Sequence, residues 1–217
     1  MSPRSPQPPG PPPREDLTTR ARIGLAAIEL FAARGYAGTS MADIAVRVGI
    51  SKPGLYNHYH SKEELLLELL QHSLDAWRDA SRPALFADGS CQERLWNHLM
   101  AAVEFTTDHR HELAIVRLAA SLIGGELGER VGQIVAAQKE DYLRVLNDFF
   151  AEGLSRGELR EAPAVDLALA WRSFLDGLLT DLVFKTRAQS LGRERLRNIW
   201  KIVWRGLEGP TENRNPQ

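Results

Sequence analysis

The sequence predicts an all-α fold of about nine helices, and three observations carry that prediction. Apolar side chains recur at helical spacing through most of the chain. Helix starts are marked by Ser or Thr with an acidic residue three positions on, and helix ends by Gly. No stretch alternates apolar and polar residues between hairpin signals, so no strand is expected.

The elements follow in order. Seven of the 12 prolines lie within residues 1–13. Proline lacks an N–H and fixes φ, so residues 1–14 are expected to form a disordered, solvated tail. From residue 16 the pattern is helical: Ile23, Ala27, Leu30 and Phe31 share one face, and Gly35 is placed to end the helix. Ser40 opens a second, short helix, with Asp43 completing a capping box and Ile44, Ala45 and Val48 facing inward before Gly49. Ser51 caps a third, with Pro53 in the first turn, where its missing donor costs nothing. Ser61-Lys-Glu-Glu64 caps a fourth, running to about Ala80. Further helices are expected over about 91–107, 111–123, 129–155, 163–185 and 191–207, the first of them capped by Ser90 and Glu93.

Composition narrows the function classes. The 217 residues are 43 % hydrophobic and 25 % charged, with a formal net charge of −1, as in an ordinary globular protein. The balance is uneven: residues 1–62 hold eight Lys and Arg against four Asp and Glu, and the remainder 19 against 24. A basic front on an acidic body suggests two jobs in one chain. A single cysteine, Cys91, excludes an intramolecular disulfide. No apolar run reaches the roughly 18 residues that a membrane helix needs, so a cytoplasmic protein without membrane partners is expected.

Residues 35–62, GYAGTSMADIAVRVGISKPGLYNHYHSK, carry the functional signal. Two short helices meet at the Gly49 corner, the layout of a helix-turn-helix over about 40–59. With Leu55 and Tyr59 inward, Lys52, Gly54, Tyr56, Asn57 and His58 face out, a surface without carboxylates. Lys or His suits guanine acceptors in the major groove, Asn pairs with adenine, and Gly permits close backbone approach. Thr39, Ser40, Ser51 and Ser61 place hydroxyls and free N–H groups at helix starts, and Lys62 adds a cation where a DNA backbone would pass.

This stretch resembles the DNA-binding domain of TetR-family transcriptional regulators. The resemblance rests on Thr39, Ser40, Met41, Ile44, Ala45, Gly49, Ile50, Ser51, Leu55, Tyr56, His58, Tyr59, Lys62 and Leu65, and covers about residues 16–66. Tyr59 stands where Phe is commoner in the family, and His60 where Pro is frequent. The resemblance implies that Tyr56 and Lys62 contact phosphates beside Thr39 and Ser40, and that Lys52, Gly54, Asn57 and His58 lie along the groove. It further implies a DNA-binding domain over 15–66 and an effector-binding, dimerising domain over 67–207, ahead of a flexible tail at 208–217.

The residues of the second region point the same way. All five tryptophans follow residue 66. The last two helices carry apolar stripes too wide for one neighbour, with Trp171, Phe174, Leu178 and Leu182, then Ile199, Trp200 and Val203. A homodimer interface would use the excess, and two-fold operators need two reading heads. Trp96, Phe105, Tyr142 and Phe149 are the candidates for an effector pocket. Cys91, at a capped helix start, is a candidate for a lowered pKa.

Enzymatic signatures are absent: there is no Gly-rich phosphate loop, no nucleophile elbow and no nucleophile beside a base. Asp108, His109 and His111 splay on a helix and do not make a metal site, so neither cofactor nor metal is expected. Two readings stand: a dimeric repressor released from double-stranded DNA by a small-molecule effector, or a helix-turn-helix protein without inducer, acting constitutively or through a protein partner.

Overall fold

The computed structural model describes residues 17–122, 124–184 and 192–209. The Pro-rich leader, the segment 185–191 and the chain beyond 209 lie outside the described residues. Ten helices run through the described residues: α1 Thr19–Arg34, α2 Met41–Val48, α3 Lys52–Tyr56, α4 Lys62–Ser81, α5 Pro83–Phe86, α6 Cys91–Asp108, α7 Arg110–Ala120, α8 Gly125–Ser155, α9 Ala164–Phe184 and α10 Arg193–Leu207. The tenth, beyond the expected nine, is α5, a single turn with Pro in its first position. The only strand-like pairing among the described residues is one antiparallel bridge, Leu159 to Glu208. That bridge ties down Glu208 and Gly209, where a flexible tail was expected: Arg160 N–H donates to Leu207 O, and Gly209 N–H to Glu158 O.

The chain divides into two compact units between Leu69 and Leu70, within α4. In the first unit α1 buries Ile23, Ala27, Ile28 and Phe31, α2 buries Ile44, Ala45 and Val48, and α3 contributes Leu55. The capping chemistry explains where these short helices begin. Ser40 Oγ accepts from Asp43 N–H while the Asp43 carboxylate accepts from Ser40 N–H. Ser51 Oγ accepts from Gly54 N–H. Gly49 closes α2 in the left-handed region at φ 78°, where a side chain would clash. At α4 the reciprocal box slips by one residue: Ser61 Oγ accepts from Glu64 N–H, but Glu64 reaches back to His60 N–H.

The second unit has its own core, centred on Leu95, Leu99, Leu146, Phe150, Trp171 and Leu175. At its centre is a charge: Arg94 is 5 % exposed. Its guanidinium donates to Leu85 O, pairs with Glu152 at 3.1 Å and lies 4.7 Å over the Phe149 ring. One side chain thereby joins α5, α6 and α8. Cys91 is buried against Gly153 and Leu159. Its thiol is pushed up to about 11, mainly by burial and then by the Glu158 carboxylate. Desolvation therefore overrides the helix-start effect that suggested a lowered pKa.

A Cβ added to Gly153 would lie 2.5 Å from Cys91 Sγ and 2.6 Å from Leu159 Cδ1. Gly153→Ala is accordingly expected to lose about 1–3 kcal/mol in urea unfolding, despite the gain of about 1 kcal/mol from helix propensity. Adding Cys91→Ala should recover part of the loss. A stabilised single variant would refute the packing account.

Candidate nucleic-acid interface

The first unit places the helix-turn-helix on cationic braces. Arg22 Nη2 donates to Val48 O at 2.7 Å, holding the end of α2 against α1. Lys62 Nζ donates to Tyr36 O at 2.7 Å and Thr39 O at 2.8 Å, and sits 4.2 Å over the Tyr36 ring. Burial lowers the Lys62 pKa. Arg20 lies 4.5 Å over Tyr59, donates to Glu68 at 2.9 Å and reaches His58 O at 3.4 Å. Tyr59 is 1 % exposed, and its hydroxyl donates to Glu68 Oε1 at 2.9 Å. Burial and Glu68 push that phenol up to about 12. The hydroxyl that distinguishes Tyr59 from Phe thus has a partner, which makes Tyr at that position more than a core substitution.

A concavity of about 430 Å³ gathers Thr39, Ser40, Lys52, Tyr56 and Lys62, with His60 and Ser61 beside them. Thr39, Ser40, Tyr56 and Lys62 were expected at or beside phosphates, and Lys52 along the groove. Their roles within the concavity differ from the expectation in three places, the first being Ser40, whose hydroxyl donates to the Asp43 carboxylate. Thr39 is 2 % exposed; its hydroxyl donates to Gly35 O and its N–H to Tyr36 O, so both donors are engaged inward. Lys62 has two of its three N–H donors on backbone carbonyls, leaving one for the concavity. Lys52 is exposed and lies 6.0 Å from the Tyr56 ring. Ser51, Gly54, Asn57 and His58 stand outside the concavity, with Ser51 and Asn57 exposed and Gly54 and His58 half-buried.

The second unit holds a cavity of about 270 Å³ between α4, α6, α7, α8 and α9. Trp77, Phe105, Leu113, Val116 and Leu179 give it apolar walls, and Tyr142, Lys139, Arg172 and Asp176 supply polar groups. Of the four expected pocket residues, Phe105 and Tyr142 line it. Trp96 instead packs at 6.0 Å on Trp200, and Phe149 is buried against Phe150 and Arg94. The sequence reading passed over His98, which is fully buried, stacked on Tyr142 at 5.9 Å and 3.3 Å from its hydroxyl. Burial lowers its pKa from 6.5 to about 4. Its position on the inward face of α6, among aromatics, was the available signal.

The expected dimer residues also sort themselves. Trp171 and Trp200, 1 % and 5 % exposed, belong to the core of the single chain. They are too enclosed by their own unit to face a second copy. Phe174, Leu178, Leu182 and Val203 are half-buried against the same core, as is Ile199 by exposure. Among the described residues, the exposed large apolar side chains of α9 and α10 are Val165, Leu169 and Ile202. His109 stacks on Phe105 at 4.0 Å. Among the described residues no helix is long and apolar enough to cross a membrane.

Two short capped helices meeting at a left-handed glycine, beside a concavity of hydroxyls and cations, define a helix-turn-helix transcriptional regulator. A model of bacterial regulatory proteins of the tetR family matches residues 23–69. The HTH-type transcriptional repressor KstR2 of Mycobacterium tuberculosis (strain ATCC 25618 / H37Rv) is 32 % identical over 155 residues, covering 69 % of this chain and 72 % of KstR2. The chain belongs to the TetR family. The HTH-type transcriptional activator FasR of Mycolicibacterium smegmatis is 41 % identical over 92 residues, which is 42 % of this chain but only 39 % of FasR's own length. A crystal structure of a tetR-family regulatory protein from Rhodococcus RHA1 superposes with a TM-score of 0.69 at 26 % identity, covering 89 % of this chain and 99 % of that one.

Two outcomes check these assignments. Tyr59→Phe is expected to lose about 1 kcal/mol in urea unfolding by removing the hydroxyl from Glu68; an unchanged midpoint would mean that the bond contributes nothing. His98 resists protonation when folded but not when unfolded. Stability should therefore fall as pH drops from about 6.5 towards 4, because the unfolded chain then binds the extra proton. His98→Gln should flatten that slope, measured as melting temperature across the same range.

Proposed function

We propose that the protein is a dimeric repressor that binds a two-fold DNA operator and is released by a small-molecule effector. The observation that carries the DNA-binding part is the shared concavity of Ser40, Lys52, Tyr56 and Lys62 next to the outward surface of α3. Phosphate contacts position a protein and base contacts specify its site. Lys52, Tyr56 and the remaining N–H of Lys62 take the first role, with Ser40, whose hydroxyl donates to the Asp43 carboxylate, flanking them. Asn57 and His58, with Gly54 allowing close approach, take the second. Thr39 acts as a positioning residue, because its carbonyl anchors Lys62.

Repression rather than activation is favoured by the relative that matches across most of its length, KstR2, which is named a repressor. FasR, named an activator, matches over less than half of its length. The dimer reading rests on the exposed apolar residues Val165, Leu169 and Ile202 on α9 and α10, and on the need of a two-fold site for two heads. The effector reading rests on the cavity of the second unit. Ser73, Leu74 and Trp77 in its wall belong to α4, the helix that begins at Lys62. A ligand favouring one arrangement of that wall shifts the population of α4 positions, and with it the reading head. A coupling of about 1–3 kcal/mol changes DNA affinity by about 5–150-fold. Such a protein works in the cytoplasm and needs neither metal nor cofactor.

The test is a fluorescence titration with the chain's own upstream DNA, beside scrambled DNA and at several salt concentrations. Lys52→Ala should weaken both DNAs and reduce the salt slope by about one. Asn57→Ala should erode the preference for the operator by about 1–3 kcal/mol while leaving the slope unchanged. Equal binding to both DNAs by the parent protein would sink the operator reading.

A further inference from the structure

The cavity in the second unit has a chemical bias that apolar walls alone would not give. Among the described residues of the unit, three buried side-chain atoms make no hydrogen bond: His98 Nδ1, Trp171 Nε1 and Arg172 Nε. Arg172 itself lines the cavity. Trp171 N–H lies close enough to Tyr142 Oη to favour negative charge there, without closing a bond. Asp176, Arg172, Lys139 and Tyr142 form one electrostatic cluster, for Arg172 and Lys139 both act on Asp176, and Asp176 and Arg172 both act on Tyr142.

The unmet atoms decide the sign of the missing partner. Arg172 Nε and Trp171 Nε1 can only donate. An unpaired buried donor is destabilising, and only an acceptor relieves it. Of the other cations in the wall, Arg82 pairs with Asp141 at 2.9 Å and Arg78 with Asp75 and Asp79, while Lys139 acts on Asp176 only at longer range. A ligand amine would bring further donors and a like charge to Arg172. A ligand oxygen brings what the site lacks.

We propose that this cavity takes an apolar molecule ending in a hydrogen-bond-accepting oxygen, a carboxylate or a neutral carbonyl, seated on the Arg172 guanidinium beside Tyr142. The proposal rests on the effector reading for its biological role and on the cavity alone for its chemistry. The apolar body lies against Trp77, Phe105, Leu113, Val116 and Leu179. His98, held neutral behind Tyr142, is a positioning residue that orients the phenol through its Nε2.

The experiment titrates the full chain with octanoate, octanamide and octylamine, read by tryptophan fluorescence, to which Trp77 in the wall contributes, and by melting temperature. Octanoate or octanamide should bind and raise the melting temperature, with octylamine at least about tenfold weaker. Octanoate alone binding assigns a carboxylate; equal binding of octanoate and octanamide assigns a carbonyl oxygen. Arg172→Gln should weaken the acceptor ligands by about tenfold or more. Leu113→Trp, which fills the cavity without touching the polar cluster, should abolish binding and covers the case in which Arg172→Gln fails to fold. Three results overturn the proposal: octylamine binding as tightly, acceptor ligands indifferent to both variants, or no response to any of the three compounds. The same titrations on the protein–DNA complex separate the two readings. Binding without DNA release keeps the cavity chemistry and ends the effector role, whereas release that persists in Arg172→Gln does the reverse.

Discussion

The structure depends on cations that donate to backbone carbonyls at the ends of short helices and turns. A helix leaves its last carbonyls without intrahelical partners, and helices as short as α2 and α3 bury too little apolar surface to be located by packing alone. Arg22 takes Val48 O, Lys62 takes Tyr36 O and Thr39 O, and Arg20 reaches His58 O. In the second unit Arg94 does the same for Leu85 O in the single turn of α5. Each brace supplies a donor where a carbonyl would otherwise meet water or nothing. Each also fixes one element against another, and a DNA-reading surface needs that rigidity in its scaffold.

These braces change what the basic front of the chain means. The excess of Lys and Arg over residues 1–62 reads as an electrostatic footprint for DNA. Much of it is structural: Arg20 and Arg22 are engaged within the unit, Arg47 pairs with Glu29 at 2.7 Å, and Lys62 is mostly turned to carbonyls. Among the described residues that line the concavity, Lys52, one N–H of Lys62 and the hydroxyl of Tyr56 remain for phosphates, since the Ser40 hydroxyl donates to Asp43. Net charge counted from a sequence therefore overstates the charge offered to a partner, because it does not distinguish a cation facing solvent from one facing a carbonyl.

Helix positions were legible to within a few residues because local chemistry encodes them. Ser40, Ser51 and Ser90 cap as their spacing requires, and Gly35 and Gly49 take the positive φ that ends a helix. The turn α5 was not legible, since four residues have no period to detect. Nor was the destination of an apolar stripe: Trp171 and Trp200 sit at helical spacing, and spacing does not tell a neighbour in the same chain from one in a second copy. Arg94 and His98 were missed for the opposite reason. Polar side chains read as surface unless their position on the inward face of α6 is given more weight than their type. Phe105 and Tyr142 line the cavity, while Trp96 and Phe149, equally aromatic, face other helices.

The two units treat buried polarity differently, and the difference bears on how a regulator of this kind works. In the first unit the buried and half-buried groups are matched: Tyr59 to Glu68, Thr39 to Gly35, Lys62 to two carbonyls. In the second, Arg94 is matched, but Trp171 Nε1 and Arg172 Nε are not. Unmatched buried donors each cost about 1–3 kcal/mol, so a partner that satisfies one of them is favoured. A ligand that satisfies Arg172 gains binding energy only in the arrangement that presents it to the cavity. That differential is what a switch requires, because a ligand bound equally well by two states shifts neither. Under the proposed effector reading, the first unit is held by satisfied hydrogen bonds, and the second leaves Arg172 for a ligand to satisfy.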